Sequence, residues 1–156
     1  MSDKNAVSEA RPPRAGGSRR LFWLAGLVVL AVVYLYVSWP KPPPGPSAVE
    51  WMDDLAAGKS RAARDNQPLL IDFYATWCAP CQLMDRDVFP RQDVADALAD
   101  WVTVKLDVDR HPELADRYRV RSIPTFIALS PKGEVLGMLP GFYPAEEFIK
   151  WVNSIE

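Results

Sequence analysis

Cysteine and histidine are scarce in this chain of 156 residues, which holds two of the first and one of the second. That scarcity excludes a disulfide-stapled scaffold, and it excludes a zinc site built within one chain from Cys and His alone. It leaves room for one dithiol. A basic stripe is also missing: residues 47–156 carry twelve Lys and Arg against eighteen Asp and Glu, which makes a poor surface for nucleic acid. Residues 1–46 have the opposite balance, six against two. Charge is absent altogether from Leu21 to Trp39. What is present rules out disorder throughout, since 49% of residues are hydrophobic and 24% charged, close to a globular average. Proline is abundant, with fifteen in the chain and five of them between positions 40 and 46.

The charge-free run predicts a transmembrane helix over 21–39. At 1.5 Å per residue it reaches about 28 Å, close to the hydrocarbon thickness of a bilayer. Trp23 near one end, and Tyr36 and Trp39 near the other, suit the two interfaces. Lys4, Arg11, Arg14, Arg19 and Arg20 precede the run and only Lys41 follows closely, so the positive-inside rule puts the N-terminus in the cytoplasm and the rest outside. The run is longer than the apolar stretch of a cleaved signal peptide and no A-x-A-like site follows, which favours an uncleaved anchor. Ser18–Phe22 also resembles the start of a twin-arginine export signal, and either route delivers the domain to the same side. The expected organisation is a disordered cytoplasmic tail (1–20), an anchor (21–39), a Pro-rich polyproline II linker (40–47) and a soluble domain (48–156).

Within that domain, Val49, Met52, Leu55 and Ala56 predict a helix over 48–63. Leu69–Tyr74 is apolar enough for a buried central strand. A helix is expected from about Cys78 to Val88, with Pro80 tolerated in its first turn, and a short helical piece over 93–99. Val102–Val108 alternates as a strand, 111–119 reads as a helix, and Thr125–Leu129 and Glu134–Leu139 form a hairpin about Pro131-Lys132-Gly133. A last amphipathic helix covers 144–152. Alternation followed by a hairpin predicts an α/β fold, a mixed sheet with helices on both faces.

Trp77-Cys78-Ala79-Pro80-Cys81 follows a strand and opens a helix. Residues three apart share a helix face, so both sulfurs can approach bonding distance. At the exposed helix N-terminus, partial positive charge and unpaired N–H groups stabilise a Cys78 thiolate, the reactive species. Cys81 lies one turn deeper. Cys78 is therefore expected to attack and Cys81 to resolve the mixed disulfide. Asp72, six residues earlier in an apolar strand, is expected to be buried with a raised pKa and to relay a proton to or from Cys81.

Asp72-Phe73-Tyr74-Ala75-x-Trp77-Cys78-Ala79-Pro80-Cys81, then Val104–Asp109, Ile123-Pro124-Thr125-Phe126, Gly133 and Gly141-Phe142, resemble the thioredoxin family in order and spacing. The resemblance covers nearly all of residues 66–153. It implies the thioredoxin fold, a cis peptide before Pro124 beside the dithiol, a proton-transfer role for Asp72 with Lys105 as its neighbour, and a substrate-binding rim of Trp77, Pro80, Ile123 and Pro124. Arg86 stands where thioredoxin has a proline. The stretch Met84-Asp85-Arg86-Asp87-Val88-Phe89 instead resembles the periplasmic C-terminal domain of DsbD-type thiol:disulfide interchange proteins.

Ala79-Pro80 adds no cation to stabilise the reduced thiolate, so a relatively reducing pair is expected. The expected function is a membrane-anchored thiol:disulfide oxidoreductase of the bacterial inner membrane. Its monomeric, periplasmic domain reduces disulfides in extracytoplasmic proteins, without a cofactor or metal. The membrane helix carries no cysteine, which implies a separate transmembrane electron donor. Two alternatives remain open at this point: a reductase of apocytochrome c cysteines, and a copper-handling assembly factor, for which His111 is the one histidine available as a ligand.

Overall fold

The computed structural model describes residues 18–38 and 46–155, with side chains in the first segment described for residues 22–35. The chain divides into two units, the first containing helix α1 (Ser18–Ser38) and the second the described residues from 46 onward. Among the described residues no helix is long and apolar enough to cross a membrane. The expected cytoplasmic tail up to residue 17, Trp39 and the Pro-rich segment up to residue 45 lie outside the described residues, as does the side chain of Tyr36.

The second unit runs α2 (Leu55–Asp65), β1 (Leu69–Tyr74), α3 (Ala79–Asp87), α4 (Gln92–Ala97), β2 (Val102–Asp107), α5 (Pro112–Arg117), β3 (Thr125–Leu129), β4 (Val135–Pro140) and α6 (Ala145–Val152). The sheet order is β2-β1-β3-β4. β1 pairs parallel with β2 and antiparallel with β3, and β3 and β4 form the hairpin. The parallel pair needs a crossover, and α3 and α4 supply it. This is the mixed sheet expected from the alternation of elements.

Apart from Asp72, β1 is apolar, as suits a strand covered on both faces. Alternate side chains enter two cores. Leu70 joins Met84, Val88, Phe89, Val94, Phe126 and Phe148 on one face. Leu69, Ile71 and Phe73 join Leu55, Val104, Leu106 and Ile127 on the other. In the first core, Phe126 and Phe148 meet edge to face with centroids 5.0 Å apart, and Phe89 stands 6.1 Å and 6.0 Å from them. Each such ring contributes about 1.5–3 kcal/mol by burial.

One expected element is corrected. The helix predicted over 48–63 begins only at Leu55, because Asp54 caps it, accepting hydrogen bonds from the N–H groups of Ala56 (2.8 Å) and Ala57 (3.1 Å). Ahead of it, Ala48 and Val49 lie in a bend and Met52 makes an isolated parallel bridge instead. The Met52 N–H donates to the Thr103 carbonyl (3.0 Å) and the Lys105 N–H to the Met52 carbonyl (2.8 Å), so the segment lies along β2. The i, i+3 spacing of Val49 and Met52 therefore reflects two separate core contacts, not a helical face.

Gly58 lies in the interior of α2, where a Cβ would run into the Cγ2 of Val104 and stand 3.3 Å from Leu69 Cδ1. Helix propensity alone favours Ala there by about 1 kcal/mol. Overpacking against a stiff, fully buried β-branched neighbour costs about 1–3 kcal/mol and should win. Gly58→Ala is expected to lower the urea midpoint, and a raised midpoint would show that β2 yields to the added methyl.

Candidate functional site

The site forms at the C-terminal end of β1. Cys78 is the N-cap of α3, with extended backbone (φ −80°, ψ 104°), and Pro80 falls in the first turn where its missing N–H costs nothing. Cys78 and Cys81 form a disulfide, with Cα atoms 5.3 Å apart. The Cys81 N–H donates to Cys78 Sγ at 3.2 Å. That capping bond and the helix dipole act on the first sulfur, as the spacing predicts. The expected difference in exposure is corrected: Cys78 is 3% exposed and Cys81 2%. Tyr74, Val108 and Ile123 pack against the pair and cover both sulfurs. The asymmetry lies in position on the helix. Trp77, next to the pair, is 67% exposed, and its Nε1–H donates to Asp109 Oδ2 at 2.7 Å.

The Ile123–Pro124 peptide is cis. The loop holding it is tied down by Thr125 Oγ1, which donates to the Ser122 carbonyl (2.7 Å), and by the N–H of Gly141, which donates to the Pro124 carbonyl (2.7 Å). Gly141 has φ +101°, a conformation that suits glycine and delivers its N–H to the loop. Ile123 lies over the dithiol.

Asp72 is 1% exposed in the middle of β1, where the parallel register sets it beside Lys105 of β2. Lys105 Nζ stands 3.0 Å from Asp72 Oδ2 and also bonds Asp85 of α3. Asp72 Oδ1 has no hydrogen-bond partner among the described residues. Burial pushes the Asp72 carboxyl up to about 6; Lys105 opposes this and Asp85 adds to it. For Lys105, burial favours the neutral amine, but Asp72 and Asp85 together outweigh it and the ammonium's pKa is raised. The structure thus brings Cys78, Cys81, Pro80, Trp77, Ile123 and Pro124 to one end of the sheet, and sets Asp72 and Lys105 side by side in the middle of the two strands that lead to it. Sequence reasoning missed two partners, Asp85 and Asp109. Asp85 lies four residues after Cys81, one helical turn along the same face. Among the described residues no group of three or more His, Cys, Asp or Glu is arranged to hold a metal ion. His111 is the N-cap of α5, 3.7 Å from Glu113.

The family described as a thioredoxin-like domain matches residues 55–156. Thioredoxin Y2 of Arabidopsis thaliana chloroplasts is 39% identical over 93 residues, 58% of this chain and 53% of that protein. The chain thus spans about half the length of the first curated relatives it matches. The solution structure of a Thermus thermophilus thioredoxin superposes with a TM-score of 0.63 at 30% identity, covering 69% of this chain and 87% of that one. The oxidised DsbD C-terminal domain of Neisseria meningitidis gives 0.59 at 24% identity, covering 69% of this chain and all of its own, a likeness of fold.

Asp72 binds its proton more tightly in the folded protein (pKa about 6) than at its ordinary value of 3.8, so ionising it costs stability. The penalty is absent below about pH 4, grows as pH rises towards 6, and is complete above that. Asp72→Asn should therefore stabilise the oxidised protein near pH 7.5, by at most about 3 kcal/mol because Lys105 loses one of its two partners. The gain should vanish near pH 3.5. Urea unfolding at both pH values tests this, and equal effects at the two would contradict the raised pKa.

Proposed function

The chain belongs to the thioredoxin-like family, and from that membership we propose that it is a membrane-anchored thiol:disulfide oxidoreductase that reduces disulfides in extracytoplasmic proteins. The observation that carries the chemistry is the Cys78–Cys81 disulfide at the N-cap of α3, which follows the strand that holds a buried carboxyl with a pKa of about 6.

In the reduced enzyme, Cys78 is the thiolate, held by the Cys81 N–H and the helix dipole. Its sulfur attacks one sulfur of the client disulfide. A mixed disulfide forms, and the client's other sulfur leaves as a thiolate and takes up a proton. Cys81 then gives its proton to the Asp72 carboxylate, which is largely ionised at neutral pH. The new Cys81 thiolate attacks Cys78 Sγ, closes the internal disulfide and releases the second client thiolate. Two electrons have passed to the client. Lys105 keeps Asp72 ionisable in its buried position. Trp77, Pro80, Ile123 and Pro124 form the rim along which an extended client segment lies. A separate transmembrane donor returns two electrons to the disulfide.

The charge-free run 21–39 and the positive flank before it support the anchor and an orientation with the N-terminus in the cytoplasm of a bacterial inner membrane. On this reading the Pro-rich segment 40–47 separates the anchor from a monomeric catalytic domain over 48–156.

The two cysteines should fail differently. Cys81→Ser leaves the first attack intact and removes the thiol that releases the client, so covalent adducts accumulate. Cys78→Ser cannot begin the reaction. Non-reducing gels of membranes from cells carrying each variant should show dithiothreitol-sensitive adducts with Cys81→Ser and few with Cys78→Ser. Equal trapping by both variants, or by neither, would overturn the roles.

A further inference from the structure

Lys105 is enclosed by more than carboxylates. Its Nζ stands over three aromatic faces: Tyr74 at 4.7 Å from the centroid, Phe89 at 5.0 Å and Trp51 at 5.5 Å. Tyr74 and Phe89 belong to the stretch that the family match covers. Trp51 precedes its first residue, Leu55. The backbone around Trp51 is nonetheless held on both sides. The Ala48 N–H donates to the Phe89 carbonyl (2.8 Å), Thr103 Oγ1 donates to the Glu50 carbonyl, and Met52 exchanges two bonds with β2. The indole meets Phe89 edge to face at 5.0 Å. Its own Nε1–H is buried and has no hydrogen-bond partner among the described residues. The ring therefore serves as a wall, not as a donor.

We propose that Trp51 is a positioning residue of the exchange site, closing the side of the pocket that holds the Lys105 ammonium and keeping it against Asp72. The proposal rests on the reading of Asp72 as the acceptor of the Cys81 proton. The groups that face Lys105 are Asp72 and Tyr74 from β1, Asp85 from α3 and the rings of Trp51 and Phe89. Asp72 in turn faces Lys105 and, less directly, Asp85. Removing the indole frees the ammonium and leaves Asp72 buried in the sheet. The carboxyl then loses part of its counter-charge and holds its proton more tightly.

The test follows the Asp72 carboxyl by carbon NMR in the oxidised full chain, where the dithiol does not titrate. Trp51→Leu and Trp51→Met should raise the midpoint by about half a unit or more, a threefold gain in proton affinity, and Trp51→Phe should bring it back towards wild type. The Lys105 ε-methylene protons should shift downfield in parallel as the indole's ring current is removed, with the Tyr74 and Phe89 rings still in place. An unchanged or lowered midpoint in a folded variant would overturn the proposal. So would unfolding of both the Leu and Met variants, which would make Trp51 a core residue. Failure of the underlying reading looks different: exchange rates of wild type and Asp72→Asn would then share one pH profile even while the carboxyl midpoint still responded to Trp51.

Discussion

A carboxyl group in the middle of a strand buried on both faces is the constraint on which the rest of this domain depends. Asp72 has apolar neighbours before and after it in β1 and is 1% exposed. An unpaired carboxylate there would cost more than a domain of this size has to lose. Lys105 meets it at 3.0 Å, yet the carboxyl pKa still ends near 6, so the ion pair only partly offsets burial. The pair is consequently a poor stabilising device. What the pair does is hold the proton affinity of Asp72 near 6 at a place water does not reach freely.

On the proposed mechanism, the sheet topology explains why that proton is useful. Because β1 runs parallel to β2, the register that joins Asp72 to Lys105 also points both strands towards the same end of the sheet. The crossover from that end begins with α3, whose N-cap is Cys78, four residues beyond the end of β1. The same end receives the Pro124 loop, fixed to the end of β4 through the Gly141 N–H. One strand pairing therefore gathers a carboxyl, an ammonium, a dithiol and a backbone edge.

Much of this was legible in the residues. The apolar run of β1 and the alternation of β2 are direct records of burial, and Cys78-Ala79-Pro80-Cys81 between a strand and a helix carries its own geometry. The N-terminal segment was not legible, because Val49 and Met52 at i, i+3 look like a helix face whether or not the backbone coils. The capping aspartate at 54 was the better guide. Asp85 and Asp109 were read as parts of a resemblance and not as partners. Pairing between residues 20 and 32 positions apart, Lys105 with Asp85 and Trp77 with Asp109, leaves no periodic trace in a sequence. Trp51 is the extreme case, since its significance depends on three other elements meeting at one ammonium.

The first turn of α3 also bears on the direction of electron flow. An oxidant of this kind needs a reduced form whose thiolate is strongly stabilised. In the oxidised protein, among the described residues, the hydrogen bond aimed at Cys78 Sγ comes from the Cys81 N–H at 3.2 Å, at the N-terminus of a nine-residue helix. Pro80 has no N–H to add, Ala79 has no side-chain donor, and the one cation beside Asp72 is engaged by two carboxylates rather than by sulfur. A thiolate held by so few groups gains little from staying reduced. This agrees with the proposed reductase, for which a continuous supply of electrons is the condition for turnover.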